Sequence, residues 1–252
     1  MPEHRLTVLS ANIQAGNSTQ RYRDYATRAW SHVLPNGKRD SLDEIGRLVS
    51  GYDIVGLQES DPGSLRSGFT NQTHYLAERA GFPYWSHQPN RRMGGIASSA
   101  NGLLSRLAPT EVHDHPLPGR IPGRGVLVAR FGEGREGLAV AVAHLSLGQR
   151  SRQAQLAYIA ELLADAPHAV LMGDFNCGPD APEMQALFRQ TRLAPPSEVV
   201  ATFPSWAPKR ALDHILASEP LIADAPRAFP AARSDHLAIA LDLKVPLRAI
   251  GA

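Results

Sequence analysis

The chain has little of several things. It holds one cysteine, Cys177, in 252 residues. No intrachain disulfide is possible, and a secreted protein of this size more often carries paired cysteines. The N-terminal MPEHRLTVLS lacks a long apolar stretch after a basic start, so no signal peptide is evident. The longest apolar stretch, around residues 138–145, is too short to span a bilayer. These absences point to a cytoplasmic, soluble protein, expected to be a monomer. Aromatic residues make up only 6% of the chain and no basic stripe appears, which argues against binding an extended duplex. Net charge is only +2, which suits an anionic substrate without demanding nucleic acid. The chain also lacks internal repeats, low-complexity tracts and a dividing linker. A single domain over residues 1–252 is expected.

What is present is a set of apolar runs that each end in a polar side chain. They read LSANIQ around Asn12, DIVGLQES around Glu59, VAHLSL around His144, LMGDFN around Asp174 and Asn176, and RSDHLA around Asp235 and His236. A sixth, ALDHIL, carries Asp213. Runs of this length read as buried strands, so their polar ends are held on rigid elements and aimed at a common rim. The collected oxygen donors suit a hard divalent cation such as Mg²⁺, which keeps waters and binds through one or two carboxylates plus a substrate phosphate. Each segment alone has a plainer reading. GDFN can be an Asx-turn, Asn12 a turn amide, Glu59 a rim charge, and the Asp235–His236 dipeptide a satisfied polar pair. Asp213 offers the carboxylate that would fix the tautomer of His236.

Strand-like runs fall at residues 6–11, 54–57, 102–105, 125–131, 138–145, 169–172, 212–217 and 237–243. Helical periodicity suits 41–50, with Ser41 as N-cap, Glu44 closing a capping box and Gly51 just past the end. It also suits 71–80 with Gly81 closing, 150–164, and 181–190 with Pro182 in the first turn. Many strands with about four helices predict sheets packed on each other with helices outside. Segments 60–70, 89–100, 114–124 and 195–209 are rich in Gly, Pro, Ser and Arg and read as loops, where selectivity resides.

Together, and in this order, the motifs resemble the endonuclease/exonuclease/phosphatase superfamily, which groups DNase I-like nucleases, abasic-site endonucleases, neutral sphingomyelinases and inositol-phosphate 5-phosphatases. The resemblance runs from Asn12 to His236 and rests on LQE, GDFN and SDH. It implies a mixed α/β (α+β) fold: a four-layer α-β-β-α sandwich of two mostly antiparallel mixed sheets. By position, Glu59 would be the principal ligand of Mg²⁺ or Mn²⁺, with Asn12, Asp174, Asn176 and Asp235 completing the metal and polar floor. His236, paired with Asp213, would activate water or stabilise the transition state. Whether His236 or Asp174 takes the proton stays open.

His144 discriminates between branches. Abasic-site endonucleases carry a tyrosine at the matching strand end and an asparagine three residues later; this chain has His144 and Leu147. His144 would donate a hydrogen bond to the phosphate or protonate the leaving oxygen. Asn101 matches a site-floor position and is expected to orient His144. Asn101, Arg152 and Trp206 are candidate substrate-binding residues, with Phe203 beside Trp206 as a candidate for the same substrate wall. The HDH of His113 and His115 has a spacing seen in zinc sites, but no third ligand is evident and a loop is the plainer reading. His214 should point away from Asp213. The function implied is a metal-dependent phosphoesterase acting on a lipid-type or small-molecule phosphodiester. The alternatives are a DNA or RNA nuclease and a non-catalytic scaffold. No transmembrane segment is expected, and the partner is a phosphate-ester substrate.

Overall fold

Alternation explains the layering. In the computed structural model, which describes residues 3–14, 38–64, 67–93, 97–119 and 122–251, the first strand sends Leu6 and Val8 to one face and Leu9 and Ala11 to the other. All four are buried, so this strand lies inside a stack with apolar material on both sides. The same period of two sorts Leu127 and Ala129 from Val126 and Val128 in a later strand.

Twelve strands form two sheets among the described residues. They are β1 (Glu3–Asn12), β2 (Ile54–Ser60), β3 (Tyr84–Met93), β4 (Ala97–Ser105), β5 (Glu111–Pro116), β6 (Gly125–Phe131), β7 (Leu138–His144), β8 (His168–Asp174), β9 (Asp213–Ala217), β10 (Ile222–Ala223), β11 (Arg227–Pro230) and β12 (Leu237–Pro246). The first sheet runs β10-β12-β1-β2-β4-β3, with β11 also on β12; the second runs β5-β6-β7-β8-β9. Helices α1 (Lys38–Val49) and α2 (Gln72–Ala80) cover the first sheet through Leu42, Ile45, Val49 and Leu76. Helices α3 (Gln149–Leu163) and α4 (Pro182–Gln190) cover the second through Leu156, Ile159, Met184 and Leu187. A short α5 (Leu247–Ile250) follows β12. The result is the expected α-β-β-α sandwich. No helix among the described residues is long and apolar enough to cross a membrane.

One parallel pair sits in each sheet: β1 with β2, and β7 with β8. Parallel neighbours need a crossover, and α1 and α3 lie in the two connections. Both pairs therefore end at the same edge of the sandwich, where open α/β sheets bind ligands. The centre of the first sheet is the antiparallel ladder of β1 and β12, from Glu3↔Pro246 to Ser10↔Ile239.

Some sequence expectations need correction. Helix α1 already includes Lys38, so Ser41 is a buried residue within it rather than its N-cap. By contrast, Asn71 Oδ1 accepts the His74 amide at 3.1 Å and Gly81 closes α2 at φ 69°, as read from the sequence. Much of the supposed loop 89–100 is strand, whereas of 114–124 only 114–116 is. Strands β3 and β5 are edge strands, and β5 is almost wholly solvent-exposed, so neither carries the apolar run by which buried strands are recognised.

Candidate active site

The alternation that buries Leu6 and Val8 between the sheets also directs Ser10 and Asn12 there, nearer the strand end. The same parity places His144 above Val140 and Val142, Asp174 above Val170 and Met172, and Asp213 beyond Ile215 and Ala217. His144 is in register with Asp174, and Asp174 with Asp213, so three functional side chains stand in a row across β7, β8 and β9. The polar cluster is thus the cap of the inter-sheet core.

Two local distortions complete it. The β2–β4 register slips between Leu57 and Ser60, and Glu59 adopts φ 56°. Such a bulge re-aims a side chain that strict alternation would send to the helical layer. On β8, Gly173 has φ 145°, and a Cβ there would lie 1.8 Å from the Ala143 carbonyl oxygen. Only glycine lets β8 pass this close to β7 immediately before Asp174.

Asp174 is the hub. Its Oδ2 accepts from Asn12 Nδ2 at 3.2 Å and lies 3.4 Å from His144 Nε2 and 3.9 Å from His236 Nε2. Its Oδ1 accepts the Asn176 amide at 2.9 Å. Glu59 Oε1 is 3.5 Å from Asn12 Nδ2 and 3.9 Å from His144 Nε2. His236 Nδ1 bonds Asp213 Oδ2 at 2.8 Å, and its Nε2 is 3.8 Å from Asp235 Oδ1. Asn176, at φ 54°, spends Nδ2 on the Leu145 carbonyl at 2.9 Å, so Oδ1 is not required for that bond. The eight residues Asn12, Glu59, His144, Asp174, Asn176, Asp213, Asp235 and His236 are therefore brought together.

Their protonation is divided by environment. Burial, then the Asp213 charge, raise the Asp174 carboxyl to about 7. Burial, then Arg124 and His236, hold the His144 imidazole well below its ordinary value, so it is neutral. For His236 burial works the other way from its partners. The Asp213 charge and hydrogen bond, with Asp174 and Asp235, outweigh burial and raise it to about 10. Burial and then Glu59 raise Asp235, despite the opposing His236. The surroundings thus push the two imidazoles in opposite directions on either side of the Asp174 carboxyl.

Asp235 Oδ1 and Asp213 Oδ1 are buried without a hydrogen-bond partner. An ionised carboxylate in that condition is costly unless a cation neutralises it. Asp174, Asp213 and His236 bring ligand atoms within 4.8 Å of one another. The last two are already joined as an ion pair, and an imidazolium cannot ligate a metal. The oxygens of Glu59, Asp174 and Asp235, with Asn12 and Asn176 beside them, are the donor set that fits a hard divalent cation.

Among the described residues, three candidates make no hydrogen bond to a side chain of the cluster. Asn101 is fully buried, and its Nδ2 bonds the Gly125 and Val142 carbonyls at 2.8 and 3.3 Å and Gln88 Oε1 at 3.2 Å. It ties down the backbone beneath His144 rather than the ring. Arg152 bonds Glu183 Oε1 at 2.7 Å and the Ser146 and Leu147 carbonyls, so its guanidinium is a strut between α3, α4 and the loop after β7. Among the contacts of the described residues none joins Trp206 to the cluster. Phe203 does so instead, with its ring 4.9 Å from that of His236 and the Arg210 guanidinium 4.8 Å over its own centroid. His214 turns away from Asp213 as expected and meets the Cys177 carbonyl at 2.8 Å. Cys177 is inert: burial above all pushes its thiol up to about 12.

Sequence reasoning missed three residues. Thr202 Oγ1 donates to Asp213 Oδ2 at 2.5 Å. Ser234 Oγ donates to the Asn12 carbonyl at 2.7 Å and accepts the His236 amide at 3.1 Å, tying the two ends of the site. Arg124 supplies the positive charge felt by His144. Only Ser234, inside RSDH, lay in a motif that could have signalled it.

No curated protein sequence matches the chain. Many solved structures resemble it, and three of them illustrate the likeness. An endonuclease/exonuclease/phosphatase from Beutenbergia cavernae has TM-score 0.72 at 19% identity, covering 96% of this chain and 72% of that one. A family protein from Bacteroides thetaiotaomicron has TM-score 0.72 at 18% identity, covering 98% and 100%. A mannosyl-6-phosphatase from the same organism has TM-score 0.68 at 18% identity, covering 94% and 99%. At these identities the likeness establishes the sandwich and not the substrate. The model of the Endonuclease/Exonuclease/phosphatase family spans residues 9–236, a stretch that takes in all eight clustered residues, and by that match the chain belongs to this hydrolytic family.

Proposed function

We propose that the chain is a Mg²⁺- or Mn²⁺-dependent phosphoesterase that hydrolyses a phosphodiester by direct attack of water. The observation that carries this reading is geometric: Asp174 Oδ2 lies between His144 Nε2 at 3.4 Å and His236 Nε2 at 3.9 Å, with Glu59 reaching His144 at 3.9 Å and the unpartnered Asp235 Oδ1 reaching His236 at 3.8 Å. A hydrolase needs a base and an acid at the same pH, and separated environments supply them. Asp174, between the two imidazole nitrogens at 3.4 and 3.9 Å, is placed to take a proton from water. Against burial, the Asp213 charge and hydrogen bond favour the protonated form of His236, which suits it to donate rather than accept. Held by Asp213, to which Thr202 in turn donates, it donates from Nε2 to phosphate oxygen that becomes more negative in the transition state. His144 Nε2 lies across Asp174 and Glu59 and is suited to hydrogen-bond the phosphate or the leaving oxygen. Glu59, Asp174, Asp235, Asn12 and Asn176 would hold the cation, which supplies charge neutralisation and polarises the phosphoryl group.

His144 and Leu147, which stand where abasic-site endonucleases carry tyrosine and asparagine, favour a lipid-type or small-molecule phosphodiester over an abasic site. The test is a substrate panel in Mg²⁺, Mn²⁺ and EDTA: a generic diester, a monoester, abasic DNA, plasmid DNA, sphingomyelin and an inositol phosphate, with Asp174→Ala as control. Diesterase activity abolished by EDTA and restored by either cation is expected. Full activity in excess chelator sinks the metal reading. Incision of abasic duplex without activity on other diesters assigns the chain to the other branch. No activity on any substrate leaves a binding scaffold.

A further inference from the structure

The hairpin of residues 202–212, just before β9, carries a stacked cation beside the site. Its two arms meet at the Phe203↔Arg210 bridge, where the amides of Phe203 and Arg210 each donate to the other's carbonyl at 3.0 Å. The hairpin is fastened to the segment that holds Asp235 and His236. The Ser205 amide donates to the Asp235 carbonyl at 2.7 Å, Ser205 Oγ to the Ser234 carbonyl at 2.7 Å, and the Leu237 amide to the Thr202 carbonyl at 2.8 Å. Three planar groups follow one another from the buried His236 through the half-buried Phe203 to the exposed Arg210. The ring centroids of His236 and Phe203 are 4.9 Å apart, and the Arg210 guanidinium carbon is 4.8 Å from the Phe203 centroid. The guanidinium thus stands within ~10 Å of the His236 ring, held there by a cation–π contact. Arg106 makes the same kind of contact, 4.6 Å over Phe82, but it spends its N–H groups on the carbonyls of Ser50, Tyr52, Ala80 and Gly81. Among the described residues no carbonyl or carboxylate accepts from the Arg210 side chain. Stacking engages the face of a guanidinium and leaves free its N–H edge, which matches two phosphate oxygens. At the inner end of the stack, Asp235 Oδ1 is buried 3.8 Å from His236 Nε2 and also lacks a hydrogen-bond partner. Uncommitted groups therefore stand at both ends of the stack.

We propose that Arg210 is a specificity-determining residue that binds a second phosphate group of the substrate. The substrate class is then a small-molecule phosphodiester that also carries a phosphate monoester, with His236 facing the scissile group and Arg210 the other. This rests on the phosphoesterase reading of the site. The carboxyl cluster of Glu59, Asp174, Asp213 and Asp235 repels a doubly charged monoester unless a cation stands where that group lies. Arg210 is that cation, and the exposed Lys209 beside it adds to the same positive field. A bidentate, charge-assisted contact separates substrates that carry the second phosphate from those that do not.

The test is calorimetry in Mg²⁺ with two probes that cannot be hydrolysed, butylphosphonate and tetramethylene bisphosphonate, which differ by one phosphonate group. The wild type should bind the bisphosphonate at least ~10-fold more tightly. Arg210→Ala should reduce that ratio to the roughly twofold that two equivalent ends give by themselves. It should keep the wild-type melting temperature, since the side chain is exposed. Arg210→Lys keeps the charge without the planar fork and should restore only part of the ratio. In parallel, nitrophenyl diesters with and without an added phosphate should differ in KM rather than kcat, and Arg210→Ala should remove the difference. Equal affinity for the two probes in the wild type overturns the proposal, as does a ratio that survives in Arg210→Ala. Tight bisphosphonate binding that is lost in Arg210→Ala, with neither diester hydrolysed, upholds the second phosphate site and refutes the phosphoesterase reading instead. Hydrolysis of both diesters with equal KM and equal probe affinity refutes the Arg210 assignment alone.

Discussion

Gly173→Ala isolates the contribution of backbone geometry to the site. A Cβ at residue 173 would sit 1.8 Å from the Ala143 carbonyl oxygen, whereas real Cβ atoms do not approach closer than 3.0 Å. The rung joining β7 to β8 must therefore open by more than 1 Å, and this rung lies directly below His144↔Asp174. Holding alanine at φ 145° adds ~1–3 kcal/mol of strain, and the overlap a further ~1–3 kcal/mol. Asp174 meets Asn12 at 3.2 Å and His144 at 3.4 Å, distances that do not survive such a shift. A 1 Å misplacement costs ~10²-fold in rate, so kcat on an activated diester should fall at least ~10²-fold in protein that still folds. Gly56→Ala is the control. Its added Cβ meets the Met172 sulfur at 3.0 Å and Val142 methyls at 3.1 and 3.2 Å, without a left-handed backbone. It should cost ~1–3 kcal/mol in a urea melt and little activity. If Gly173→Ala keeps activity within about threefold of wild type, in protein of unchanged stability, the close approach of β7 and β8 does not set the position of Asp174.

Asp213→Asn should leave the fold intact and lower kcat by ~10²–10⁴-fold. The loss should not multiply with that of His236→Ala, because the pair acts as one unit; multiplying losses in a double-mutant comparison count against this. Arg152→Ala should leave KM unchanged and destabilise by ~3–5 kcal/mol in urea, since it strands a buried Glu183. A raised KM with unchanged stability would return Arg152 to the substrate. Asp242 is buried, and Arg5 and Arg227, at 2.6 and 3.1 Å, outweigh burial to hold its carboxyl below the ordinary value of 3.8. A depressed carboxyl stabilises the fold above that value and loses its contribution as pH falls through the lower, folded-state one. The gap between wild type and Asp242→Asn in urea midpoint should thus be full at neutral pH and shrink below pH 3.8; a gap independent of pH contradicts the linkage.

The apolar runs of β1, β2, β6, β7, β8, β9 and β12 were legible because each is buried on both faces, and their polar ends were legible for the same reason. An amide or carboxylate that ends such a run, as Asn12 and Asp174 do, has no solvent-facing side of the strand to occupy. Strand β5 escaped because exposed edge strands follow no apolar pattern, and β3 because its polar half reads as loop. Glu59 could be located but not its bulge, since positive φ at a glutamate leaves no trace in composition. Arg152 and Asn101 were misassigned for another reason. Their partners lie 31 and 24 residues away in Glu183 and Gly125, and nothing near either residue announces them. Thr202 was invisible likewise, a threonine in ATF whose role depends on Asp213.

The ladder of β1 and β12 also has a consequence for synthesis. Asn12 is synthesised long before its partners: the strand that flanks it and the Ser234 hydroxyl that bonds its carbonyl follow it by more than 220 positions. Vectorial folding can complete the second sheet, whose five strands close with Ala217, while β1 still waits for its antiparallel neighbour. Closing so long a loop is slow and comes late, and the nascent chain holds β1 as an unpaired edge until then. Hydrolytic competence and the central ladder of the first sheet therefore arrive together, in one closing step, so a prematurely terminated chain is born silent.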